Sequence, residues 1–301
     1  MADAGPLLVV SNTTPHLSWN LLADLAAIFH YQFMVNAFMA GTVVAIVAGA
    51  IGYFVVLRSS AFAAHALSHI GFAGATGAVV LAINPTFGLL AFTMGSGMAI
   101  GALGDRIRGR DVTIGIVLSW TLGLGVLFIS LYTGYAQEAY ALLFGEILGI
   151  GAQEVGVTGL VAAVALIALI AMYRPLLFAS VDQDLARAKG VPTLAISIIF
   201  MALLALAVTD AVQVVGVLLI FALIVTPAAI AVRFTSRPSI AIAMGVALSL
   251  AFTWLGLAIA YYSPHPVSFF ITSLAFGTYV LVRAAQALPG RLAKLGAASA
   301  S

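Results

Sequence analysis

The segment FMVNAFMAGTVVAIVAGAIGYFVVL, which spans Phe33–Leu57, has no charged side chain and is long enough to cross a lipid bilayer as one helix. Eight later segments have the same apolar character and a comparable length: Ala61–Ile83, Pro85–Leu103, Val112–Tyr132, Val155–Tyr173, Thr193–Asp210, Gln213–Phe234, Ser239–Tyr262 and Pro266–Arg283. These segments lack strict alternation of apolar and polar residues, and the hydrocarbon core of a bilayer admits only helices or closed barrels. The sequence therefore predicts an all-α, polytopic transmembrane bundle of about eight to nine spanning helices.

The composition excludes most other classes of protein. Of the 301 residues, 63% are hydrophobic and 7% are charged, whereas about 25% of the residues in a soluble domain are charged. Disordered, collagenous and coiled-coil chains are excluded because each needs a polar or strictly periodic sequence. The net charge of +2 gives no indication of nucleic-acid binding, and the absence of cysteine excludes disulfides and cysteine-ligated metals.

The positions of the charged residues predict the orientation of the bundle. Every lysine and arginine lies at the end of an odd-numbered predicted segment or follows one, so that all of them share one membrane face: Arg58, Arg106, Arg108, Arg110, Arg174, Arg187, Lys189, Arg233, Arg237, Arg283, Arg291 and Lys294. The opposite face keeps acids and histidines: Asp3, Asp24, Glu138, Glu146, Glu154, Asp210, His16, His30 and His265. Basic loops remain in the cytoplasm, so we expect a multi-pass protein of the plasma (inner) membrane with its N-terminus outside and its C-terminus cytoplasmic.

This orientation divides the chain into three parts. Residues 1–32 are expected to form a lead-in on the outer face, residues 33–285 a single transmembrane domain, and residues 286–301 a cytoplasmic tail. The apolar stretch Glu138–Val155 is interpreted as an outer-face or re-entrant helix, because a crossing there would move Arg174 and Lys189 to the outside. Pro227 lies inside the seventh segment and predicts a kink or break, because proline removes a backbone donor.

His65 and His69 are the first candidates for chemistry. Their i, i+4 spacing places both imidazoles on one helix face, at a separation that suits one metal ion. They are the only ionisable residues well inside a predicted span, and such groups usually face a cavity or mark a transport pathway. The alternative is a pair of packing histidines that hydrogen-bond to serine or threonine on neighbouring helices. We favour an ion-binding role because burying two imidazoles that have neither a hydrogen-bond partner nor a bound ion costs free energy.

The second candidate is a short helix at Asp182–Gly190, in the loop between the fifth and sixth segments. Asp182 can cap its N-terminus, Lys189 suits its last turn, and Gly190 can adopt the left-handed conformation that ends a helix. A rigid helix between two spans suits the docking of a cytosolic partner. The alternative is a plain connecting loop with one helical turn.

Two further observations concern energy and charge. The chain has no Gly-Lys-[Ser/Thr] phosphate-binding loop and no hydrolase constellation, so it is not expected to be an enzyme or to hydrolyse ATP itself. The predicted outer face is acidic and has no lysine or arginine, so it would not repel a divalent cation. The same charge distribution also follows from the rule that basic loops remain inside, which explains most of it.

Several blocks of the sequence resemble the ABC-3 family, the membrane permeases of zinc and manganese ATP-binding-cassette importers. The blocks occur in family order as GYFVVLR at 52–58, ALSHIGFAG at 66–74, YALLFGEIL at 140–148, DLARAKGV at 184–191, VVGVLL at 214–219 and TPAA at 226–229. The match is specific as an ensemble, although each block alone is weak.

The resemblance implies a homodimer or paired permease in the lipid bilayer, a cytosolic ATP-binding-cassette ATPase and an extracytoplasmic metal-binding solute receptor. It implies metal contact at His65 and His69, with the transported divalent metal as substrate and no permanently bound cofactor. The family has aspartate where His65 stands, and imidazole suits zinc whereas carboxylate suits manganese, so zinc is the expected ion. Coupling to the ATPase is assigned to the loop helix, through Asp182, Asp184, Leu185, Ala186, Arg187 and Gly190.

Three alternatives remain open at this point. A permease for chelated metal or a siderophore would share the architecture but have a larger cavity with an aromatic lining. A self-sufficient secondary transporter or channel would move its substrate without a partner. A structural membrane scaffold would neither bind nor move metal.

Overall fold

The computed structural model describes residues 21–104, 110–131, 145 and 147–298, and every regular element among them is an α-helix. We number these helices in chain order: α1 Leu21–His30, α2 Gln32–Leu57, α3 Ala61–Val80, α4 Pro85–Leu103, α5 Arg110–Leu131, α6 Ala152–Ala171, α7 Tyr173–Val181, α8 Gln183–Ala188, α9 Thr193–Val215, α10 Val217–Phe234, α11 Pro238–Tyr261 and α12 Val267–Ala298. The predicted all-α fold class is confirmed.

A helix lies at each of the nine predicted segments. Seven of these helices are long and apolar enough to cross a membrane, namely α2, α4, α5, α6, α9, α11 and α12, and α10 contains a shorter apolar stretch. The remaining helix of the nine is α3, which has 20 residues and includes His65 and His69, and these histidines lower its hydropathy. The predicted number of about eight to nine spans is therefore a close approximation, and the chain is a multi-pass membrane protein.

Helices α2 and α9 form the centre of the bundle. Most of their residues are buried, and α2 packs against α10, α11 and α6 while α9 packs against α4 and α6. Phe54 of α2 and Phe200 of α9 are fully buried and meet edge to face, with ring centroids 6.4 Å apart. The outer helices α5, α6 and α12 expose large apolar side chains, as expected of helices that face lipid.

Glycine allows the tightest helix contacts, as the clustered glycines in the sequence suggest. A Cβ added at Gly49 would lie 2.6 Å from the Cα of Val246, so α2 and α11 meet backbone to backbone. A side chain at Gly52 would collide with the carbonyl oxygen of Ile224 in α10. Small residues at such crossings drive helix association in a membrane, where the hydrophobic effect is weak.

The junction between α9 and α10 differs from its prediction. Helix α9 continues past Asp210 to Val215, and Gly216, with φ of 79°, separates it from α10. Helix α10 then runs through Pro227 without interruption, so the helix does not break there, and a kink at Pro227 stays a prediction. Asp210 therefore lies within α9, five residues before its end at Val215, and not at the end of the helix as predicted.

The segment Glu138–Val155 falls largely outside the described residues, since 132–144 and 146 are not among them. Residues 147–149 form a turn, and α6 begins at Ala152. A Cβ at Gly145, which has φ of 75°, would lie 2.5 Å from the nitrogen of Gly216. The described end of this segment therefore packs against the α9–α10 junction.

The last helix, α12, continues to Ala298, beyond the predicted span end at Arg283.

Candidate functional site

The two histidines of α3 lie side by side, as their spacing predicts. Their ring centroids are 4.6 Å apart and the rings are nearly perpendicular. Phe221 of α10 places its ring 5.6 Å from that of His65, also edge to face. The site is thus built from one turn of α3 and one aromatic residue of the neighbouring helix.

The histidine pair faces outward from the bundle. Between Ala63 and Thr76 every residue of α3 is buried except His65 and His69, which are half-buried. Nearby, Phe221 is also exposed. The open strip formed by His65, His69 and Phe221, which we call the imidazole strip, is accessible to an ion or to another polypeptide.

Neither imidazole is engaged as a packing histidine would be. Among the residues that the structure describes, none hydrogen-bonds to either ring, and the hydroxyl of Ser68 instead donates to the carbonyl oxygen of His65 at 2.7 Å. No group of three or more histidine, aspartate or glutamate side chains that could hold a metal occurs among these residues. One chain therefore offers two nitrogen ligands, which suits transient contact better than permanent retention of an ion.

The predicted short helix between the fifth and sixth segments is present as α8. A side-chain oxygen of Asp182 accepts a hydrogen bond from the backbone nitrogen of Leu185 at 2.8 Å, which is the predicted N-cap. Gly190 has φ of 80°, and its nitrogen donates to the carbonyl oxygen of Arg187. The capping residues thus act as their types indicate.

Helix α8 is attached to the bundle at two points and otherwise exposed. Ala186 is fully buried, and Nε of Arg187 donates to the hydroxyl of Thr193, the first residue of α9, at 2.7 Å. Asp182, Asp184, Leu185 and Gly190 face outward. One side of α8 is therefore open to a partner, and the other side is joined to α9.

A buried arginine joins α2 to α9. Arg58 follows α2 and is only 9% exposed. Its Nη2 donates to the hydroxyl of Ser197 at 3.2 Å, and its guanidinium carbon lies 5.4 Å from the centre of the Phe200 ring. Helix α8 contacts α9 at Thr193, and Arg58 contacts α9 at Ser197, which is one turn further along. Both contacts are therefore at the N-terminal end of α9.

Asp210 is the buried ionisable residue that the sequence analysis missed. It is 6% exposed and hydrogen-bonds to Thr158 of α6. The apolar residues that follow it, Val212, Val214 and Val215, were the available signal that α9 continues beyond it. Asp210 lines a cavity of about 870 Å³ between α4, α6 and α9, which is separate from the imidazole strip on α3 and α10.

These features define a multi-pass, α-helical membrane protein with a short, capped and largely exposed helix between two of its spans. Residues 30–286 match the family model described as the ABC 3 transport family, and the chain belongs to that family. The resemblance noted in the sequence is thereby confirmed.

Two relatives and one solved structure are similar over most of their length. The manganese import system permease protein ScaB of Streptococcus parasanguinis is 32% identical over 77% of this chain and 82% of its own. The high-affinity zinc uptake system membrane protein ZnuB of Haemophilus influenzae is 27% identical over 73% of this chain and 85% of its own. A chain of PsaBC from Streptococcus pneumoniae in complex with Fab is 29% identical, covers 87% of this chain and 95% of its own, and superimposes with a TM-score of 0.77.

Proposed function

We propose that this chain is the pore-forming permease of an ATP-driven importer of divalent metal ions and that zinc is its preferred ion. The proposal rests chiefly on the imidazole strip, where two neighbouring imidazoles have no hydrogen-bond partner among the described residues. The names of the relatives, which include manganese and zinc uptake systems, support a divalent metal as the substrate. Imidazole nitrogen favours zinc over manganese, because manganese prefers carboxylate and water oxygen.

The pore is proposed to form where two copies of the chain, or this chain and a paired permease, bring their imidazole strips together. One copy supplies two nitrogen ligands, and a zinc ion commonly takes four. Two copies could satisfy one ion at the moment of passage, and separation of the copies would then weaken the site and release the ion. In this scheme the metal is the substrate, and no cofactor is held permanently.

Energy is proposed to enter through α8. A cytosolic ATPase would press on the exposed residues Asp182, Asp184, Leu185 and Gly190, and the motion would pass through Ala186 and the Arg187–Thr193 hydrogen bond to α9. We place α8 in the cytoplasm, with the N-terminus outside and the C-terminus inside, because every lysine and arginine then lies on the cytoplasmic face. A solute receptor would deliver metal at the opposite, acidic face.

The test is reconstitution of the permease in lipid vesicles with and without its ATPase, scored by uptake of zinc in competition with manganese. We expect uptake only with the ATPase and ATP present, and loss of that uptake in His69→Ala while assembly with the ATPase is retained. Wild-type uptake by His69→Ala would contradict the pore role of the pair. Uptake without the ATPase would favour a secondary transporter, and uptake of metal only in chelated form would favour a siderophore permease.

A further inference from the structure

The C-terminal part of the chain carries positive charge and no acid. From residue 211 to residue 301 the sequence contains four arginines, one lysine and no aspartate or glutamate. Helices α10, α11 and α12 form most of this part and pack against one another. Of its cations, Arg233, Arg237 and Arg283 have described side chains, and none of the three forms an ion pair within the described part of the chain. No carboxylate of the described residues therefore balances the charge at this end of the bundle.

Arg233 of α10 reaches across to one face of α12. Its guanidinium carbon lies 5.6 Å from the centre of the Tyr279 ring, and its Nη1 donates to Oε1 of Gln286 at 3.3 Å. Both contacts are with uncharged groups, and Nε of Arg233 is shielded from solvent with no hydrogen-bond partner among the described residues. Arg283 comes four residues after Tyr279 and three before Gln286, so it lies on the same face of α12 as both contacts. We call the surface formed by Arg233, Tyr279, Arg283 and Gln286 the arginine strip.

The ends of the neighbouring helices do not compensate for these charges. Arg233 lies in the last turn of α10, whose C-terminus carries about half a negative charge. Helix α11 begins at Pro238, soon after α10 ends, and its N-terminus carries about half a positive charge. The two helix ends oppose each other, and α12 continues past Arg283 without an end. The arginine strip therefore keeps two like charges on one surface, which favours the binding of an anion.

Exposed apolar side chains adjoin the arginine strip. Phe234 is the last residue of α10 and is 58% exposed, and Leu281 of α12 is 71% exposed. Both belong to apolar helices of the membrane-spanning bundle, so these side chains face lipid. Beyond them the chain is small or polar, at residues 235–237 and 283–287. The arginine strip thus lies at the boundary between acyl chains and headgroups, where a phospholipid can meet both kinds of surface at once.

We propose that the arginine strip binds the headgroup of an anionic phospholipid, with the phosphate at Arg233 and Arg283 and the acyl chains along Phe234 and Leu281. Guanidinium groups bind phosphate oxygens in pairs, and basic surfaces between transmembrane helices are typical sites for anionic headgroups. The bound phosphate would offset the repulsion between the two arginines and so hold α10 against α12. The site involves neither the histidines nor α8, so it does not depend on the proposed metal import.

The experiment uses native mass spectrometry to count the phospholipids that stay bound to the purified full-length permease, after exchange into equal amounts of phosphatidylglycerol and phosphatidylcholine. We expect the wild type to retain phosphatidylglycerol preferentially. Arg283→Gln should lower this retention about fivefold, the factor that one basic side chain typically contributes at an anionic surface. Arg283 is exposed, so its replacement should leave the fold intact. Arg174→Gln, the same change at an exposed arginine of α7, is the matched control and should retain the lipid as the wild type does.

Thermal unfolding gives a second readout on the same proteins. Phosphatidylglycerol should raise the unfolding midpoint of the wild type, because a ligand that binds only the folded state stabilises it, and should raise that of Arg283→Gln less. Arg283→Lys should keep part of both effects, since lysine retains the charge but not the planar fork of the guanidinium.

Three results would overturn the proposal. The first is equal retention of the two lipids by the wild type, or equal retention of phosphatidylglycerol by the wild type and Arg283→Gln. The second is the same loss in Arg174→Gln, because binding would then follow the overall charge of this membrane face. The third is full displacement of the lipid by an equal concentration of inorganic phosphate, which has no acyl chains and would reveal a site for a free anion.

Discussion

The N-cap of α8 offers a direct test of the coupling proposal. Asp182→Ala removes the oxygen that accepts from the nitrogen of Leu185, and loss of an N-cap costs about 1 kcal/mol. That amount lowers the folded-to-frayed ratio of α8 by roughly fivefold. A helix of six residues is below the length at which isolated helices are stable, so it has little reserve against this change. Asp182 is exposed, so the transmembrane bundle should be unaffected.

The assay combines hydrogen exchange at residues 183–188 with the number of metal ions imported per ATP hydrolysed. We expect faster exchange confined to α8 and a lower transport yield, while the thermal unfolding midpoint of the bundle stays unchanged. Asp182→Ser is the matched control, because serine keeps a capping oxygen and should restore both readouts without the charge. Faster exchange with an unchanged transport yield would refute the role of α8 in coupling. A serine variant as defective as the alanine variant would show that the charge matters rather than the cap.

Three further predictions concern the proposed pore, the helix crossings and the N-terminal end of α9. His65→Asp should shift uptake in vesicles from zinc towards manganese, because a carboxylate replaces a nitrogen ligand, and an unchanged metal preference would contradict the assignment of selectivity to this position. Gly49→Ala should lower the thermal unfolding midpoint because its Cβ would lie 2.6 Å from the Cα of Val246, whereas Gly123→Ala, which meets no neighbour within 4 Å, should not. Arg58→Leu should lower that midpoint more than Ser197→Ala, since it also removes the stacking on Phe200; equal effects would indicate that the hydrogen bond alone matters.

Much of the candidate site follows from residue types at short spacing. The i, i+4 separation of His65 and His69 determines that their rings are neighbours on one face of α3, and the order Asp182 to Gly190 predicts a capped helix, which the structure contains. Both features are local, because helical geometry places residues four apart next to each other. Local geometry does not reveal which groups on other helices approach them, so the contact of Phe221 with His65 could not be predicted.

Asp210 shows why a helix end is difficult to predict from composition. A carboxylate in an apolar run is typical of a span that has reached the membrane surface, and for this reason the sixth segment is predicted to end at Asp210. The observed break falls six residues later at Gly216, where a positive φ stops α9, and a hydroxyl on α6 partners the carboxylate. The partner, Thr158, is distant in the sequence, so only the packed structure shows that a buried position can accommodate Asp210.

Four features follow from the sequence: the class of fold, the nine helical segments, the pairing of the two histidines and the capped helix α8. The physical reason is that membrane insertion depends on the length and apolarity of each segment, and helix periodicity and capping depend on residues within a few positions of one another. The tertiary structure alone decided the outward orientation of the imidazole strip, the attachment of α8 to α9 through Arg187 and Thr193, and the cavity around Asp210. Each of these depends on which faces of separate helices pack together, and that packing arises from close contacts such as Gly49 with Val246, which no single segment specifies.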